Sequence, residues 1–73
     1  MQSIEGVVVI VQEGRFQLFD DDGVAHFFVL GYYAAMEPEQ LQSLLRHRVR
    51  VRYSDPPDVI GHQANRLLLL NAR

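Results

Sequence analysis

The sequence contains no cysteine, no lysine and no threonine. Without cysteine there are no disulfides and no thiolate metal sites, so a disulfide-stapled secreted scaffold is excluded. At 73 residues the chain lies near the lower limit for one self-sufficient core, and 48% apolar content must supply the stability that staples would otherwise add. Without lysine every cation is arginine or histidine, and the formal net charge is −2. Proteins that grip nucleic acid non-specifically need many phosphate contacts and a strongly basic surface, which this composition does not provide. The missing cysteine, lysine and threonine also remove most nucleophiles. Ser3, Ser43 and Ser54 sit in no nucleophile motif, so no enzymatic activity is expected.

Long apolar runs are absent too. The longest uncharged apolar-rich run, Phe27 to Met36, is broken by Gly31 and is too short to cross a bilayer. No basic segment leads into an apolar one near Met1, and a cytoplasmic protein with no membrane partner is expected. His26, His47 and His62 are far apart, and Asp20-Asp21-Asp22-Gly23 lacks the alternating spacing of a calcium loop. No metal and no cofactor are expected.

What is present is an arginine ladder. In Arg46-His47-Arg48-Val49-Arg50-Val51-Arg52-Tyr53, an extended backbone puts Arg46, Arg48, Arg50 and Arg52 on one face. His47, Val49, Val51 and Tyr53 fall on the other. Adjacent like charges repel, so the ladder requires carboxylates from neighbouring segments or an anionic partner, unless it is a solvated edge that resists sheet-to-sheet pairing.

The remaining punctuation predicts a single domain over residues 1–73. Val7 to Val11 is β-branched throughout and reads as a strand. Glu13-Gly14 turns into a second strand, Arg15 to Asp20, and Asp22-Gly23 is a type I′ hairpin signal leading into a third, Val24 to Tyr33. Glu37-Pro38-Glu39 opens a short helix through about Arg46, with Leu41, Leu44 and Leu45 as its apolar stripe. The arginine strand follows, Pro56-Pro57 interrupts it, and His62 to Leu70 closes the chain. The order β-β-β-α-β-β predicts an all-β domain with one short helix, a five-stranded OB-like barrel, with an SH3-like barrel as the alternative.

The layout Glu5-Gly6-Val7, Phe16-Gln17-Leu18, Asp22-Gly23, a short helix, then Arg48-Val49-Arg50-Val51 with Pro57 and Gly61, resembles bacterial translation initiation factor one and other small bacterial OB-fold families. The resemblance covers nearly the whole chain and implies the barrel. That factor carries basic loop residues for ribosomal RNA, whereas residues 31–37 here contain no cation.

Two-residue turns at both hairpins put Val7, Val9, Val11, Phe16, Leu18, Ala25, Phe27 and Val29 on the core face. The predicted core is Val9, Val11, Phe16, Leu18, Leu44, Val49, Val51 and Leu68. The outer face then carries Val8, Ile10, Gln17, Phe19, His26 and Phe28, with Arg15 at its rim. A bulge at Asp21-Asp22-Gly23 would exchange Phe27 for Phe28. So apolar an outer face needs an occupant. One expectation is single-stranded nucleic acid stacked on Phe19, His26 and Phe28, with Arg15, Arg48, Arg50 and Arg52 supplying charge. The other is a protein-interaction or homodimerisation module that uses the same face and binds no nucleic acid.

Overall fold

The computed structural model describes residues 2–70, with the backbone alone at Tyr33. The strands are β1 (Gln2–Gln12), β2 (Arg15–Phe19), β3 (Ala25–Leu30), β4 (Arg48–Ser54) and β5 (His62–Leu69), with one helix, α1 (Pro38–Gln42), between β3 and β4. They close into a barrel in the order β1-β2-β3-β5-β4. Neighbours are antiparallel except β3 and β5, which run parallel from Phe28↔His62 to Leu30↔Ala64. This is the five-stranded, OB-like arrangement; β5 seated between β3 and β4 sets the SH3-like alternative aside. Among the described residues no helix is long and apolar enough to cross a membrane.

One long strand makes closure possible. The first half of β1 pairs with β4 and the second half with β2, the two pairings meeting at Val7. The β-branched run gives the stiffness such a shared strand needs. A bulge at Val9, between the Val8↔Leu18 and Ile10↔Gln17 pairs, adds one residue and reverses the inward parity. Before the bulge Val8 points inward; after it Val11 does. Hence Val8 is buried, Val11 packs half-buried against the core and Val9 is half-exposed, which corrects the prediction that Val9 belongs to the core.

The buried core comprises Val8, Phe16, Leu18, Phe28, Leu41, Leu44, Val49, Val51 and Ala64. Phe16, Leu18, Leu44, Val49 and Val51 are buried as predicted. Leu68 is exposed, because it lies directly opposite Arg50 on the outward side of the β4–β5 pair.

Helix α1 begins at Pro38 as predicted, behind an extended Glu37 whose N–H donates to Gln40 Oε1 at 2.7 Å while Gln40 N–H donates to the Glu37 carbonyl at 2.9 Å. It stops at Gln42, earlier than predicted. Ser43 returns its hydroxyl to the Gln40 carbonyl at 2.6 Å, and Arg46 adopts a left-handed φ of 70°. Arg46 N–H then donates to the Val8 carbonyl at 2.6 Å, a tertiary bond that ends the helical turn and launches β4. Arg46 therefore lies outside the strand, and the ladder has three rungs.

The predicted third strand shortens at both ends. Past Leu30, whose N–H donates to the Gly14 carbonyl at 2.7 Å just before β2, Gly31 N–H bonds the Ala64 carbonyl of β5 at 2.8 Å and the chain forms a 3-10 turn, Tyr32–Ala34.

Candidate interaction surface

The β2–β3 connection decides which side chains face outward. Phe19 pairs with Ala25, leaving a five-residue loop, Asp20 to Val24, where a two-residue turn was predicted. Asp20 organises it: Oδ1 accepts from the N–H groups of Asp22 and Val24, both at 2.9 Å, while Gly23 takes φ 79°. The longer loop shifts β3 by one residue relative to the predicted register. Phe28 now faces Phe16 inside the barrel, with ring centroids 4.9 Å apart, and is 2% exposed. Phe27 faces out and is 60% exposed.

Phe28 is thus a core residue and cannot stack a ligand, which corrects its assignment to the binding face. His26 moves with it. Its Nε2 bonds Asp20 Oδ2 at 2.8 Å, and its half-buried ring sits 6.3 Å from that of His62, which is paired with Asp55. Opposite buried Leu18 and in phase with buried Phe28, His26 is on the inward side of β3 and does not lie on the outer sheet face.

That face is built from cross-strand rows. Gln12, Arg15 and Val29 form one row; Ile10, Gln17 and Phe27 the next; Val7, Phe19 and Ala25 the third. Ile10, Gln17, Phe19 and Arg15 are placed as predicted. The β4–β5 loop leans over the middle row: a side chain at Gly61 would come within 3.1 Å of the Phe27 carbonyl, and neighbouring Ile60 is 93% exposed. Together they border a groove of about 510 Å³ whose one charged lining residue is Arg15. Ile10 is 53% and Phe19 42% exposed. Phe27 takes the outward place that the alternative register, with an extra residue near Asp21-Asp22-Gly23, gives it, whereas Ile60 was missed as a surface residue. The signal for Phe27 was Asp20, whose side chain can close a longer loop; nothing local marks Ile60.

The arginine strand stands elsewhere on the barrel, and two of its rungs are neutralised. Arg48 donates from both terminal nitrogens to the Asp21 carboxylate at 2.8 and 3.0 Å. Arg50 holds Glu5 through Nε at 2.8 Å and Nη2 at 2.7 Å. Arg52 makes no ion pair among the described residues.

The same contacts perturb two carboxylates. The hydrogen bond from His26, helped by the Val24 N–H, holds Asp20 below its ordinary range. The Arg48 guanidinium does the same for Asp21, by hydrogen bond and by charge. A carboxyl whose folded pKa is depressed contributes stability that is present above its unfolded pKa, about 3.9, and is lost as pH falls through the folded value. The acid limb of the melting profile should therefore depend on Asp20. In thermal melts between about pH 2 and pH 6, Asp20→Asn is expected to flatten that limb. Superimposable limbs for variant and wild type would show that the Asp20 contacts are not linked to folding.

No family model, curated protein or solved structure matches this chain.

Proposed function

We propose that the protein is a small interaction module that self-associates through the outer face of β1, β2 and β3. The observation that carries this reading is Phe27, 60% exposed in the middle row of the sheet face, across Gln17 from the exposed Ile10 and beside the exposed Ile60. A solvated sheet face would be polar at these positions.

Charge discriminates between the two possible occupants of this face. A nucleic-acid strand on this face would meet one cation, Arg15, while the two loops that border the face carry exposed Glu13 and Asp58. One stacked base contributes about 1–3 kcal/mol, too little to hold a strand whose phosphates face carboxylates. The ladder adds little, because Arg48 and Arg50 are already paired with Asp21 and Glu5. A two-fold contact instead presents one patch to itself, so its charges must be self-complementary. Arg15 and Glu13, two residues apart at the same rim, meet that condition, and the remainder of the groove lining is uncharged. A face three short strands wide belongs to the small interface class, below about 1,200 Å² in total, and implies a weak, reversible dimer.

Sedimentation velocity from about 10 µM to about 1 mM tests this, a range that brackets weak association. Wild type should move from monomer towards dimer, while Phe27→Glu stays monomeric and folded. A wild type that remains monomeric throughout, or a Phe27→Glu variant that associates equally well, would overturn the reading.

A further inference from the structure

Compensation along the arginine strand stops at its third rung. Arg48 is matched by Asp21 and Arg50 by Glu5, but the next cross-strand row reads Ser3 on β1, Arg52 on β4 and Arg66 on β5. Arg52 and Arg66 are Cα partners, both are exposed, and among the described residues neither forms an ion pair or a side-chain hydrogen bond. Like charges directly opposite one another on neighbouring strands destabilise a sheet. The chain supplies a carboxylate at the other rungs and withholds one here.

Two cavities meet at this pair. One, of about 500 Å³, is lined by Ser3, Arg50, Arg52, Arg66 and Leu68. The other, of about 770 Å³, adds Met36 and Leu67 beside the same two arginines. No carboxylate lines either cavity.

We propose that Arg52 and Arg66, with the Ser3 hydroxyl, bind the phosphate of a small organic phosphomonoester whose less polar body rests over Met36 and Leu67. Two planar guanidinium groups on adjacent strands, about 5 Å apart in backbone spacing, offer paired N–H donors to one tetrahedral anion. A dianionic phosphate between them turns repulsion into attraction from both sides. The ligand carries one phosphate and is not a polyanion, because the neighbouring rungs are already neutralised and offer no track for a second. The second cavity falls in the size range of small-molecule sites, about 300–1,000 Å³, and supplies the apolar contact such sites need. This site shares no lining residue with the groove around Phe27, so it stands or falls independently of self-association.

The test is an amide chemical-shift titration with three probes: adenosine 5′-monophosphate, inorganic phosphate and adenosine. The monophosphate should shift Arg52, Arg66, Met36 and Leu67 saturably, inorganic phosphate should shift Arg52 and Arg66 alone, and adenosine should shift none. Arg52→Gln and Arg66→Gln should each weaken monophosphate binding about tenfold, the loss expected for one charged hydrogen-bonding group. Arg46→Gln should change it by less than about twofold, since that exposed arginine lines neither cavity. Because both arginines are exposed, the variants should fold; added phosphate should raise the melting temperature of wild type and not that of Arg66→Gln. Absence of saturable shifts, equal binding of adenosine and the monophosphate, or unchanged affinity in both variants would overturn the proposal. Tighter binding of a short oligonucleotide lacking a terminal phosphate would also overturn it, in favour of a nucleic-acid strand.

Discussion

Phe28→Ala is expected to destabilise the protein by about 3–5 kcal/mol, whereas Phe27→Ala, one residue away, should cost less than about 1 kcal/mol. Phe28 is fully enclosed, stacked on Phe16 and met edge-on by Tyr53 at 5.5 Å, so truncation removes its transfer free energy and leaves a cavity. Phe27 loses mainly contacts that water already shares. Small domains are stable by only about 5–15 kcal/mol, so the first variant should melt far below wild type or be unfolded at room temperature. Urea denaturation followed by circular dichroism checks both. The contrast isolates the five-residue β2–β3 loop: a two-residue turn would reverse the order of the two variants, and that reversal would refute the register described above.

The second large effect is expected at Gly6, where β1 passes from its β4 pairing to its β2 pairing. A Cβ there would lie 2.2 Å from the Phe19 carbonyl oxygen and 2.5 Å from Leu18 Cδ2. Rotating Leu18 could relieve the second clash, but the first is against backbone and cannot be relieved without moving β1 away from β2. Gly6→Ala should therefore cost at least the upper part of the about 1–3 kcal/mol typical of overpacking. Gly14→Ala is the control. A Cβ at Gly14 meets nothing within 4 Å, and the variant should stay within about 0.5 kcal/mol of wild type in the same denaturation experiment. Equal stability of the two variants would mean that β1 does not approach β2 as closely as the barrel requires.

These two positions also mark where sequence reasoning succeeds and where it fails. Strand count, the helix start at Pro38 and the inward placement of Val49 and Val51 were legible, because each follows from local chemistry: turn residues, a capping proline and strict alternation in β4. Alternation failed in β1 and β3 for one shared reason. A single added residue, at the Val9 bulge or in the Asp20 loop, reverses inward and outward, and neither addition leaves a periodic trace. Asp20 was visible as a turn residue, but its closure of the loop through two backbone N–H groups depends on geometry that composition does not encode. The end of the helix was likewise set from a distance, by the bond between Arg46 and Val8.

For the surface, the requirement that the arginines find partners was legible, but the identity of those partners was not. Asp21 lies 27 residues before Arg48, and Glu5 lies 45 before Arg50. Barrel closure alone brings them together, and with them paired, Arg52 emerges as the uncompensated rung. The apolar face was anticipated through Ile10 and Phe19, and its β3 aromatic moved from Phe28 to Phe27 with the register.

The most direct test of the central claim, self-association through the outer face of β1, β2 and β3, is an amide chemical-shift map recorded on dilution without any added ligand. Concentration-dependent shifts are expected at Ile10, Gln17, Phe27 and Ile60, with Arg52, Arg66 and Leu68 unmoved. Shifts centred on Arg52 and Arg66, or a spectrum that does not change with concentration, would contradict it.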